Sequence, residues 1–135
     1  MPLQFSTTVR NARLDATETT VGTAPLLKIR TGSQPSNCAG ADSGTVVATL
    51  SLPSDWMANA SGGSKAILGT WEDPSADANG TAGHFRIYDT SGSVCHIQGS
   101  VTATGGGGDM TLDNISIATG QDVKITSFTL TDGNA

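Results

Sequence analysis

His84–Asp89, HFRIYD, places Phe85 and Ile87 on one side of an extended chain and His84, Arg86 and Tyr88 on the other. QDVKITSFTL, residues 121–130, repeats the pattern: Val123 and Ile125 share a side, Lys124 and Thr126 take the opposite one, and the apolar phase then moves to Phe128 and Leu130. Side chains of a strand alternate across the sheet, so both stretches predict half-buried antiparallel strands, with one β-bulge near Ser127 where the phase changes.

The same alternation extends outward. PLLKIRT, residues 25–31, sets Leu27 and Ile29 against Leu26, Lys28 and Arg30, and TVVATLSL, residues 45–52, aligns Val46, Ala48 and Leu50. KAILGTW (65–71), VCHIQGSV (94–101) and DMTLDN (109–114, with Met110 and Leu112 inward) complete the set. Gly-, Ser- and Asn-rich loops separate them at residues 31–44 and 72–83, and the tetraglycine Gly105–Gly108 predicts a flexible or tightly curved connection. Some seven short strands at near-regular spacing predict an all-β fold, an antiparallel β-sandwich or jelly-roll. The one helix expected is short and N-terminal. In STTVRNARLDATETTV, residues 6–21, Ser6 or Thr7 serves as N-cap, Gly22 as the stop, and Val9, Ala12, Leu14, Ala16 and Val21 form an imperfect apolar stripe. So thin a stripe needs packing against another surface to persist. The organisation is an arm and helix over 1–24 and a β-sandwich over 25–135, one domain overall.

Length agrees, since 135 residues bury enough surface for a core without a metal or disulfide framework. The net charge of −5 and the scatter of seven basic residues leave no cationic footprint for phosphate, which argues against nucleic acid as a partner. No run approaches the roughly 18 apolar residues of a membrane span, and MPLQFSTTVR lacks the basic and apolar regions of a secretory signal, so synthesis and folding in a cytosol are expected. Cys38 and Cys95 are read either as two buried thiols or, in an oxidising setting, as a disulfide closing a long loop.

Residue by residue, no reacting group emerges. His84 and His96 lack ligand spacing, and Cys95 and His96 alternate to opposite faces, where they cannot share a metal. There is no G-x-S-x-G elbow, and the glycine run is followed by neither Lys-Ser/Thr nor a helix. Glu72, Asp73 and Asp77 do not have the spacing of an EF-hand loop and read as a solvated loop. Asn59, Asn79 and Asn114 each begin an N-x-S/T triplet, read as chance. The expectation is a protein without enzymatic activity, cofactor or metal. Trp56 and Met57, in the irregular segment after Pro53, either tuck under the sheet or anchor a partner.

STTVRNARLDA, LLKIRTGSQPSN, SADANGTAGHFRIYDTSG and VKITSFTLTDGN, in that order, resemble small structural proteins of tailed-bacteriophage virions. The resemblance spans most of the chain but its segments bear fold rather than chemistry. It implies a capsid decoration or cement protein, carried in the virion, made in the host cytoplasm, and bound to the major capsid protein or other virion proteins as a homo-oligomer, dimer or trimer. A tail-, neck- or fibre-associated virion protein is the alternative, and a carbohydrate-binding module the second. The contact surface is expected at the arm and helix, through Gln4, Phe5, Val9, Arg10 and Arg13, and at Trp56 and Met57. Removal of residues 1–8 is expected to abolish shell binding and leave the sandwich folded.

Overall fold

A computed structural model describes residues 3–125 and 127–133. Among the described residues it is predominantly β, with one helix, α1 (Thr7–Val21), and ten short strands. The main sheet runs β2 (Val46–Ser51), β1 (Leu26–Thr31), β5 (Gly80–Tyr88), β6 (Cys95–Ala103) and β7 (Met110–Leu112), and β8 (Ser116–Ile117) pairs with the start of β5. Two ribbons accompany it: β3 (Ser64–Ala66) with β10 (Thr129–Thr131), and β4 (Trp71–Asp73) with β9 (Val123–Ile125).

Register explains why the strands align as they do. Leu50, Leu27, Ile87 and Ile97 face one another across four strands, and Ala48, Ile29, Phe85 and Gly99 form the next row. Cross-strand apolar rows of this kind fix register, because a slip of one residue would turn each row to the opposite face. Gly99 is the small member by necessity: a Cβ there would lie 2.7 Å from the Phe85 ring. Over these rows runs an aromatic chain. Phe85 meets Phe128 edge-on at 5.3 Å between centroids, Phe128 meets Trp71 at 5.9 Å, and Trp71 meets Trp56 at 5.9 Å. The indole N–H of Trp71 donates to the Trp56 carbonyl at 3.1 Å, and that of Trp56 to the carbonyl of Gly22, the residue that ends α1, at 2.9 Å. Each buried indole thus keeps its one polar atom paired while its ring fills the core.

Four expectations change. Residues 121–130 are two strands, β9 and β10, paired with β4 and β3, rather than one bulged strand; the apolar phase shift marks the change of partner. The side assigned to Thr126 lies outside the described residues. Residues 65–71 likewise divide, giving most of β3 and the start of β4. β6 and β7 pair in parallel, because Gly105 (φ 87°) and Gly107 (φ 81°) let the chain loop back within a few residues. Finally, β5 is not half-buried: His84, Arg86 and Tyr88 are as inaccessible as Phe85 and Ile87.

Candidate functional site

The helix docks with its polar side. Ser6 caps it, its hydroxyl accepting the Val9 amide at 3.2 Å, and Gly22 ends it, its amide donating to the Glu18 carbonyl. Asn11, Asp15 and Glu18 lie one turn apart on a single face. Their oxygens accept the backbone amides of Gly63 (2.9 Å), Ala60 (2.9 Å) and Met57 (3.2 Å), an antiparallel ladder along the irregular segment before β3. Lys65, 1% exposed, closes it: its ammonium donates to Asp15 (2.7 Å), to Glu18 (2.8 Å) and to the Ala58 carbonyl (2.9 Å). Burial pulls that ammonium downward, but the two carboxylates outweigh it and hold it above the ordinary lysine range. The Asp15 carboxyl is held below its usual value by the Lys65 hydrogen bond and then the Ala60 amide. At the N-terminal end Arg10 donates to the Asp132 carbonyl (3.2 Å) and Arg13 pairs with the Asp132 carboxylate (3.1 Å).

A helix held by polar contacts has no need to turn its apolar residues inward. Of the predicted stripe only Leu14 and Val21 are buried, while Ala12 and Ala16 are exposed. Val9 is 42% exposed, Phe5 43% and Leu3 76%, so the arm and the first turn of the helix present three large apolar side chains to the outside. The guanidinium of Arg13 stacks over the Phe5 ring at 4.9 Å and fixes the arm against the helix. Beside it, Arg13, Ala16, Thr17, Thr20, Val21 and His96 line an open groove of about 320 Å³.

The predicted contact residues therefore separate. Gln4, Phe5, Val9 and Arg13 belong to the outer surface of the arm and helix, and Arg10 is half-buried and engaged in docking. Trp56 and Met57 are corrected: at 0% and 1% exposed they are core residues, pulled in by the aromatic chain and the Glu18 hydrogen bond. With Trp71 also at 0%, neither indole forms a surface platform for a sugar ring. Leu3 escaped notice in the sequence, although an apolar residue two positions from Phe5 was the signal.

A second polar assembly covers the other face of β5. Asp42, on the loop between β1 and β2, pairs with Arg30 (3.0 Å) and Arg86 and accepts the Tyr88 hydroxyl (2.6 Å). Burial opposes ionisation of Asp42, but Tyr88, Arg86 and Arg30 outweigh it and its carboxyl lies below the usual range. The loop backbone is gripped as well: His84 Nδ1 meets the Gly32 carbonyl (2.8 Å), Gln98 donates to Pro35 (2.7 Å) and Arg86 to Cys38 (2.7 Å). Cys38 and Cys95 are both free thiols, half-buried, on the walls of one cavity of about 570 Å³ beside Arg86. Among the described residues no group of three or more His, Cys, Asp or Glu side chains is placed to hold a metal ion, and no helix is long and apolar enough to cross a membrane.

No family model matches the chain, no curated protein matches it, and no solved structure matches its fold.

Proposed function

We propose that this protein is an assembly component that binds neighbouring protein subunits through its N-terminal arm and the outer face of α1, acting as a decoration or cement protein on a phage capsid. One observation carries the reading: Leu3, Phe5 and Val9 are exposed on an element whose docking uses polar ladders instead. Exposed large apolar side chains on a well-anchored element cost solubility and favour a partner that covers them. The sequence resemblance to virion structural proteins supplies the class of partner, the major capsid protein or another virion protein. Trp71 of β4 and Phe128, between β9 and β10, link the ribbons to Phe85 of the main sheet and support a sandwich-like scaffold whose role is to hold the arm. Burial of the arm across a subunit boundary stabilises the assembled shell by mass action. A dimer or trimer of this chain repeats the arm with the symmetry of its site.

The experiment is co-sedimentation of the purified protein with capsids and, separately, with tails from virions of the phage that carries it. Removing residues 1–8 would take the Ser6 cap and the first residues of α1, so the sharper variant is the triple L3S/F5S/V9S. The expected result is wild-type binding to capsids, loss of that binding in the triple variant, and thermal midpoints that agree. Equal binding by the variant, binding to tails alone, or absence of the protein from purified virions overturns the reading.

A further inference from the structure

We infer that Cys38 and Cys95 form a redox-controlled latch: oxidation joins them in a disulfide that locks the loop between β1 and β2 over the charged face of β5. The two thiols come from elements distant in sequence, one in the middle of that loop and one at the first residue of β6, yet they line the same cavity beside Arg86, where the Cys95 thiol donates to the Ile97 carbonyl at 3.4 Å. Their surroundings are pre-set. Arg86 donates to the Cys38 carbonyl at 2.7 Å and to Asp42 four residues further along the loop, which holds both ends of the Cys38 turn against the sheet. Cys95 lies opposite Tyr88, where the register of β5 and β6 shifts, and the Tyr88 hydroxyl is bound to the same Asp42. Two thiols on the walls of one cavity, each on backbone already anchored, need only approach each other across that cavity to bridge.

The chemistry is thiol–disulfide exchange with a small soluble disulfide such as oxidised glutathione. The Cys38 thiolate attacks one sulfur of the oxidant, the oxidant's S–S bond breaks, and one glutathione thiolate leaves and takes up a proton. Cys95 then loses its proton to solvent and attacks the Cys38 sulfur of the mixed disulfide, expelling the second glutathione, which is protonated in turn. Two protein thiols lose two electrons and two protons, and one oxidant becomes two thiols. Burial, and then the neighbouring Cys38 thiol, push the Cys95 thiol up to about 11, so in the reduced protein it is protonated and inert at neutral pH. The Arg86 guanidinium opposes that shift and stabilises the Cys95 thiolate as it forms in the second step. Closure slows with falling pH for the same reason.

The latch acts on the unfolded chain as well as the folded one, because it closes a long loop. The test uses the full chain, reduced and then exposed to oxidised glutathione at pH 8. Intact mass should fall by two hydrogens, non-reducing peptide mapping should recover one cross-linked peptide containing Cys38 and Cys95, and the thermal midpoint should rise by roughly 10 °C. A reductant should reverse both changes. C38S and C95S should lack both while melting, when reduced, close to reduced wild type. Both thiols remaining open to alkylation, separate glutathione adducts on each, or a covalent dimer in place of the internal bridge overturns the inference.

Discussion

Lys65→Met tests the claim that α1 is held by its polar face. Methionine keeps most of the side-chain length and removes the ammonium, whose three hydrogen bonds reach Asp15, Glu18 and the Ala58 carbonyl. Hydrogen bonds to charged groups contribute about 1.5–3 kcal/mol each, but the substitution also removes the cost of keeping an ammonium out of water. Asp15 is half-exposed and turns to solvent, keeping its Ala60 amide. What persists is a Glu18 carboxylate only 19% exposed and an Ala58 carbonyl without its donor. Together these give a net loss of about 2–4 kcal/mol, or roughly 6–20 °C in thermal midpoint for a chain of this length. Urea denaturation reads the first figure and hydrogen exchange locates it: the amides of Met57, Ala60 and Gly63 should lose protection ahead of the main sheet. pH adds a signature. The depressed Asp15 carboxyl contributes stability above its unfolded value near 3.8, lost as pH falls through its lower folded value. The raised Lys65 contributes below its unfolded value near 10.5, lost as pH rises through its higher folded value. The gap between wild type and variant should be widest between these limits and narrow at both ends. Equal stability, with unchanged exchange at the three amides, would refute the polar docking.

Trp56→Ala should cost about 3–5 kcal/mol by chemical denaturation, since it empties a core site and leaves the Gly22 carbonyl without its donor; a glycan array should show no binding that depends on it. Asp42→Asn removes the single carboxylate shared by Arg30, Arg86 and Tyr88, and because the Asp42 side chain remains 43% exposed the loss is about 2–3 kcal/mol rather than the full cost of a buried pair. Its acid limb follows from the depressed carboxyl: wild type gains over the variant above the unfolded value of 3.8 and loses that advantage as pH falls through the folded value, a crossover that melting curves from pH 2 to 7 resolve.

Local periodicity decided a good deal of this protein. The faces of β1 and β7, the inward side of β5 and the two ends of α1 were legible because alternation, a capping serine and a terminal glycine act within a few residues. The apolar phase shift in residues 121–130 was visible but read as a bulge in one strand, because the change of partner that makes it the break between β9 and β10 depends on distant strands. Tertiary structure decided what depends on residues far apart. His84, Arg86 and Tyr88 read as solvent-facing and became a second buried layer only because a loop some forty residues earlier folds over them and supplies Asp42. Asn11, Asp15 and Glu18 lie outside the apolar stripe read from the sequence and form the docking face because the amides of residues 57–63 and the Lys65 ammonium arrive opposite them. Trp56 and Met57 could have stood in or out on local grounds, and the aromatic chain through Trp71 and Phe128 drew them in. A polar side chain is buried or exposed according to the partner that reaches it. Partners at long sequence separation leave no period in the chain, so only the folded arrangement shows which polar side chains are buried.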